Sequence, residues 1–120
     1  MNKSINYKDL VVWQKAIDLA TWVYGLTSRF PKEEIYGIVS QMRRASVSIP
    51  SNIAEGQSRQ HKNEFIQFLS IAKGSLSELE TQLIISGKLK YISEKELNEG
   101  MERIDDISKL LYSLIKKLKT

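Results

Sequence analysis

One stretch of the sequence has the residue types and spacing of a covalent catalyst. Ser70-Ile71-Ala72-Lys73 fits the S-x-x-K pattern of enzymes that form an acyl intermediate on a serine. Those enzymes also carry S-D-N and K-T-G elements, and this sequence contains neither of them. We therefore interpret the S-x-x-K match as coincidental.

The chain is equally poor in residues for metal or nucleotide chemistry. It has one histidine, His61, and no cysteine, which excludes thiolate zinc sites, disulfides and thiol nucleophiles. None of Glu64, Glu78 and Glu80 begins the Glu-x-x-His pattern of di-iron bundles, and no phosphate-binding glycine loop occurs. We predict that the protein is not an enzyme and has no catalytic residue, cofactor or metal site.

Polar side chains share one face of a predicted second helix, which also contains Pro50. In one interpretation, Arg44, Asn52 and Glu55 bond neighbouring helices or a neighbouring subunit. In the other, the face is turned towards a ligand. At about 100° per residue, the polar face contains Gln41, Arg44, Ser48, Ser51 and Glu55.

Basic residues outnumber acidic ones, so binding of a negatively charged partner is the one kind of recognition that the composition favours. The net charge is +4 and the pI is near 9.3, a modest basic balance that favours polyanions. For the C-terminal lysines, the alternative is simple stabilisation of a helix end by cations. The candidate nucleic-acid contacts are Arg43, Arg44, Arg59, Lys62, Lys73, Lys116 and Lys117.

Apolar residues recur every three or four positions in four segments, and no strand pattern is present. This spacing predicts helices at about 8–28, 34–56, 61–90 and 93–119, in a single domain over residues 1–120. Pro50 should kink or break the second helix, which should stop near Gly56. Ser93 and Glu96 form a capping-box pair at the start of the fourth. Short links between such helices predict an antiparallel, up-and-down, all-α four-helix bundle.

Some apolar residues exceed what one bundle core requires. Ile66, Ile84 and Ile85 and a second apolar row on the fourth helix favour self-association, with a slightly apolar monomer as the alternative. The first residues contain neither a signal-peptide core nor a spanning segment. We expect a soluble protein of the cytoplasm that does not act at a membrane.

Three blocks of the sequence resemble a known family. YKDLVVWQKAIDLA, GIVSQMRRASVSIPSNIAEGQSR and EFIQFLSIAKGSLSELETQL are similar to four-helix-bundle proteins encoded within intervening sequences of bacterial 23S rRNA. The resemblance implies a ring-like homo-pentamer and kinship with the accessory protein of diversity-generating retroelements, whose basic barrel binds nucleic acid. It implies no catalytic residues. The family blocks include Arg43, Arg44, Ser48, Pro50, Asn52, Glu55, Gly56, Gly74, Ser75 and Glu78.

Together these features predict a non-enzymatic oligomeric bundle that binds RNA, either rRNA or its processing intermediates, through basic side chains. The alternative is a protein-interaction adaptor or scaffold that makes no contact with nucleic acid. Residues expected to form structural or interface contacts are Gln41, Arg44, Ser48, Pro50, Asn52, Glu55, Gly74, Ser75 and Glu78.

Overall fold

The computed structural model describes residues 6–120, and the described chain is all-helical, with four α-helices and no strand. Helix α1 spans Val11–Thr27, α2 spans Ile38–Arg59, α3 spans Lys62–Lys88 and α4 spans Glu94–Lys119. Short 3₁₀ turns lie at Tyr7–Asp9 and Lys32–Glu34. The prediction of an all-α fold with four helices is confirmed.

Each helix packs against the next one along the chain, and α1 also packs against α4. Within the described residues the backbones of the diagonal pairs do not come close to each other, so the helices surround one shared core, an arrangement compatible with a four-helix bundle. The molecule is elongated, with extents of 46 × 23 × 20 Å. The connections are too short to let the chain cross the bundle, so successive helices run in opposite directions.

The two ends of the bundle differ in how they are closed. At one end, Tyr91 donates a hydrogen bond to Glu34 across 2.8 Å, and this bond is the main reason that the pKa of Tyr91 is raised. Arg29 and Glu96 form an ion pair beside it. At the other end, only Gln60 and His61 separate α2 from α3. We call these the Tyr91 end and the His61 end.

The core is filled by the apolar residues whose spacing predicted the helices. Their burial is the largest favourable contribution to folding, at about 1.5–3 kcal/mol for each large side chain. The large apolar side chains that are completely enclosed are Leu19, Val23, Met42, Ile49, Ile53, Leu69, Leu79, Leu83, Ile107 and Leu111.

Helix α2 differs from its predicted form at both ends and in the middle. It begins at Ile38 because Lys32–Glu34 forms a 3₁₀ turn, and it continues to Arg59. The predicted break near Pro50 is wrong, since the helix is continuous through it. Pro50 is itself buried beside Ile49 and Ile53, and burial of this apolar face outweighs the roughly 3 kcal/mol that an interior proline costs.

Gly56 does not end α2, contrary to its predicted role. A Cβ at this position would lie 2.6 Å from the Cβ of Phe68, so the glycine lets α2 and α3 approach closely before the turn. The chain reverses at Gln60, which adopts a left-handed conformation with φ 61°. No helix in the described residues is long and apolar enough to cross a membrane.

The start of α4 agrees with the predicted capping box. Ser93 Oγ accepts a hydrogen bond from the backbone N–H of Glu96, and the Glu96 carboxylate accepts one from the backbone N–H of Ser93. That backbone hydrogen bond, helped by Arg29, lowers the pKa of Glu96. The fourth helix is therefore fixed by local chemistry that is visible in the sequence.

Candidate nucleic-acid interface

The seven basic candidates do not gather on one surface. Arg43 and Arg44 are adjacent in α2, so their side chains point about 100° apart around the helix. Arg43 turns towards α1, where its Nε donates to Thr27 Oγ1 over 3.0 Å and its guanidinium lies 4.6 Å from the centre of the Tyr24 ring. These contacts anchor α2 to α1, which leaves Arg43 little freedom to meet a phosphate.

Arg59 is also engaged within the protomer. Its Nε lies 3.1 Å from Glu55 and its Nη1 lies 3.5 Å from Glu64, while the guanidinium is 5.3 Å from the centre of the Phe68 ring. Two carboxylates therefore offset the charge of this arginine. Glu55 of the predicted polar stripe of α2 is therefore already paired within the protomer.

Lys73 and Lys116 both line a groove between α3 and α4 at the His61 end. We call it the basic groove, and its volume is about 340 Å³. Lys73 comes from α3, whereas the other lining residues recur at three- and four-residue spacing along α4 and so share one face of that helix. The lining residues are Lys73, Tyr112, Ile115, Lys116, Lys119 and Thr120.

No aspartate or glutamate side chain lines the basic groove, and within the described chain none of its three lysines forms an ion pair. Lys62 in the first turn of α3 and Lys117 in α4 stand near the same end and have no ion-pair partner among the described residues either. This end therefore carries part of the unpaired positive charge that the composition indicated. Its chemistry suits phosphate oxygens, which lysine contacts as a point charge.

Tyr112 and Lys119 were not among the predicted site residues. The spacing Tyr112, Lys116, Lys119 follows one helical face and could have grouped them. What the sequence could not show is that Lys73 of α3 stands opposite this face, because the register of two packed helices depends on their whole contact surface.

A second groove lies between α2 and α3 and collects five of the predicted structural residues. Ser48 and Ser75 share a hydrogen bond of 2.9 Å across it, and Asn52 Nδ2 donates to the Ser48 carbonyl oxygen over 2.8 Å. Arg44 and Glu78 also line it, but within the described chain neither forms an ion pair. Its lining residues are Gln41, Arg44, Ala45, Ser48, Ser75 and Glu78.

Small polar residues continue this surface along α3. Ser70, Gly74, Ser77 and Thr81 are exposed and recur at four- and three-residue intervals on one side of the helix. A Cβ added at Gly74 would meet nothing within 4 Å, so no neighbour in the protomer requires a glycine there. We call the α2–α3 groove and this row together the α2/α3 face.

The opposite side of the bundle, the α1/α4 face, is densely charged. Arg103 Nη2 lies 3.3 Å from Glu99, and the Arg103 guanidinium is 5.5 Å from the centre of the Trp22 ring. The described residues contain no cluster of histidine, cysteine or carboxylate side chains that could hold a metal ion. The groove on this face is lined by Lys15, Asp18, Glu99, Glu102, Arg103 and Asp106.

The sequence profile of the 23S rRNA-intervening sequence proteins matches residues 8–113. The chain belongs to this family. The match contains the whole α2/α3 face together with Lys73 and Tyr112, and it ends before Lys116 and Lys119. The family match therefore includes most of the bundle, whereas Lys116 and Lys119 of the basic groove lie beyond the matched range.

A solved structure supports the family assignment at the level of the fold. A protein of unknown function from the S23 ribosomal protein family of Bacteroides thetaiotaomicron superposes with a TM-score of 0.82 at 29% sequence identity. The alignment covers 88% of this chain and 96% of that protein. No curated protein matches the chain.

Proposed function

We propose that this member of the 23S rRNA-intervening sequence family is a non-enzymatic homo-oligomer that binds RNA through lysines at the His61 end of the bundle. The observation that supports the proposal most strongly is the basic groove. Lys73, Lys116 and Lys119 line it without an aspartate or glutamate side chain beside them, which concentrates positive potential on this part of the surface.

The distribution of charge favours this site over the rest of the surface. The groove of the α1/α4 face is lined by four carboxylates and two cations, and this excess of negative charge repels phosphates from that side. Approaching RNA is therefore steered towards the His61 end. Because each phosphate contact releases counterions, binding should weaken steeply with salt.

The oligomeric part of the proposal rests on the α2/α3 face. Gly74 lowers the stability of an exposed helix interior by roughly 0.5–1 kcal/mol relative to alanine, and nothing in the protomer requires it. A glycine is needed at this position only if the backbone of another protomer comes close to α3. Arg44 and Glu78 have opposite charges and offer partners to the same groove of a second copy. A pentameric ring, which the family resemblance implies, would repeat the basic groove once per subunit and raise avidity for a long RNA.

A binding assay on RNA tests the proposal directly. A structured fragment of 23S rRNA is the substrate of choice because the family is described by its association with 23S rRNA intervening sequences. We expect a mobility shift at low salt that disappears as salt is raised. If no association is seen even at low salt, the proposal that the protein binds RNA is wrong.

A charge-reversal pair locates the binding site. Replacement of Lys73 and Lys116 by glutamate should abolish the shift, because it puts two carboxylates into the groove. Lys88→Glu combined with Lys95→Glu changes the net charge equally at the Tyr91 end and is the matched control. Equal loss of binding in both variants would show a dependence on net charge and not on this groove.

The second candidate function is a protein adaptor, and one observation favours it. Tyr36, in the turn between α1 and α2, is 94% exposed, and its neighbour Ile35 is 48% exposed. Such side chains are common anchors of protein interfaces. Nuclease treatment separates the two candidates, because it strips co-purifying partners that are held through RNA and leaves those held by the protein itself.

A further inference from the structure

We infer that the basic groove takes an unpaired nucleotide, whose base stacks on the ring of Tyr112 while lysines hold the flanking phosphates. The inference rests on the proposed RNA binding and adds the class of RNA, which is single-stranded or looped. Lys73, Lys116 and Lys119 supply the cations, and Ile115 supplies an apolar wall.

Tyr112 and Tyr36 are the two described tyrosines that have no ring or hydrogen-bond partner, and of these only Tyr112 lines the basic groove. Its side chain is 61% exposed, and within the described chain its ring stacks on no other ring and its hydroxyl makes no hydrogen bond. Tyr7, Tyr24 and Tyr91 are engaged, Tyr7 by its contact with the Trp13 ring. Tyr24 lies under the Arg43 guanidinium, and Tyr91 bonds Glu34 and packs on Phe30.

The cations stand where a stacked nucleotide would need them. Lys116 and Lys119 follow Tyr112 by four and seven positions, about 6 Å and about 10 Å along the helix axis. Lys73 faces them from α3. A base lying on the tyrosine ring would therefore have cations on two sides for the phosphates before and after it. Proteins that bind single strands combine such an aromatic platform with a positively charged groove.

The same geometry disfavours a duplex as the ligand. In an RNA duplex the bases stack on one another, so their faces are closed to a side chain, and phosphates, hydroxyls and base edges are presented instead. A duplex could use the lysines but not Tyr112. An acidic peptide likewise has carboxylates for the lysines but no base for the ring. Dependence on Tyr112 therefore distinguishes an unpaired nucleotide from both.

The experiment compares three variants on two RNAs of the same length, one single-stranded and unstructured, the other a duplex. Tyr112→Ala should weaken binding of the single strand by about 5-fold or more, since stacking of one base contributes about 1–3 kcal/mol. Tyr112→Phe should bind as the native chain does, because the ring is retained. Tyr36→Ala removes an exposed tyrosine at the opposite end and should change nothing.

The duplex supplies the reference against which the loss is judged. Its binding should be the same for the native chain and Tyr112→Ala. Photocrosslinking with RNA that contains 5-iodouridine should attach the single strand to Tyr112, as identified by mass spectrometry of the peptides.

The outcomes separate the inference from the function on which it rests. If the native chain binds RNA but Tyr112→Ala binds the single strand equally well, or loses duplex binding to the same extent, the inference is wrong and the proposed function stands. Competition by polyglutamate that depends on Tyr112 as strongly as RNA does would also overturn the inference. If the native chain binds neither RNA at low salt, the proposed function itself fails.

Discussion

The two long sides of the bundle differ in the kind of polar side chain that they present. The groove of the α1/α4 face is lined entirely by long or charged side chains of both signs, among which Arg103 pairs with Glu99. On the α2/α3 face, small residues predominate, and within the described chain the two principal charges, Arg44 and Glu78, have no ionic partner. The first side therefore presents a charged surface to solvent, whereas the second presents two opposite charges among small side chains.

The difference in side-chain size between the two faces indicates which of them suits an interface between copies of the chain. A helix surface made of serine, glycine and threonine has little apolar area to bury, but it allows a second helix to come very close, so that dispersion contacts and hydrogen bonds accumulate. A surface of long charged side chains keeps other proteins at a distance. We therefore expect assembly through the α2/α3 face and solvent on the α1/α4 face.

The largest effect is expected from filling the space above Gly74. Gly74→Gln should convert the oligomer into a monomer of 13.8 kDa, as measured by light scattering, because the added side chain occupies the volume needed by the second copy. The protomer itself should gain roughly 0.5–1 kcal/mol of stability, since glutamine is the better helix former.

Gly25→Gln is the matched control for that substitution. Gly25 is also exposed and helical, a Cβ there also meets nothing within 4 Å, and it lies on α1. This variant should keep the native mass. If Gly74→Gln also keeps the native mass, assembly does not use the α2/α3 face.

Reversal of the two unpaired charges should have the next largest effect. Arg44→Glu or Glu78→Arg alone should weaken assembly by at least about 30-fold, in keeping with the ~2–5 kcal/mol lost when one member of a buried interfacial pair is removed. The double variant should recover much of it, because the charges are exchanged across the interface. Sedimentation over a range of concentrations measures both.

Arg44→Ala tests the same residue without introducing a new charge. It should disturb assembly or stability if Arg44 serves the interface, and only RNA affinity if Arg44 contacts phosphate. A loss of RNA binding at unchanged mass would move Arg44 from the interface to the RNA site.

A smaller effect is expected on the opposite side, and it should fall on stability alone. A Cβ at Gly100 would lie 2.9 Å from both Leu83 and Trp22. Gly100→Ala should therefore force these side chains to shift and destabilise the protomer by about 1–3 kcal/mol, while the assembled mass at moderate temperature stays native. Chemical denaturation followed by circular dichroism measures the loss.

The smallest effect is a pH dependence where α1 and α4 are joined by Arg29 and Glu96. The pKa of Glu96 is lowered from 4.5, so its stabilising contribution is present above that value and is lost as pH falls through the depressed pKa. Glu96→Gln should be less stable than the native chain near neutral pH, and the difference should vanish in acid. A difference that persisted below the depressed pKa would mean that ionisation is not its cause.

The helices were predictable from the sequence because their determinants are local. Three-to-four spacing located all four, and Ser93 with Glu96 marked the start of α4. Pro50 and Gly56 were misjudged because tertiary packing decided their roles, through burial of the proline and the close crossing of α2 and α3.

The candidate site was predictable only where one helix face sufficed. Gln41, Arg44 and Ser48 do line a common groove, as their spacing indicated. Neighbours in sequence such as Arg43 and Arg44 nevertheless separate onto different sides of the helix. The basic groove needed the pairing of α3 with α4, which no single helix pattern contains.

The absence of cysteine from the chain permits the most direct test of the account. Ser51→Cys places one thiol on α2, in the stripe of Arg44 and Ser48, and Ser113→Cys places one on α4, on the same helical side as Asp106. Both serines are exposed in the protomer. We predict that a thiol reagent labels the α4 cysteine quickly at any protein concentration and the α2 cysteine slowly at micromolar concentration, with the rate rising on dilution. Equally fast labelling of both at micromolar concentration would contradict a covered α2/α3 face.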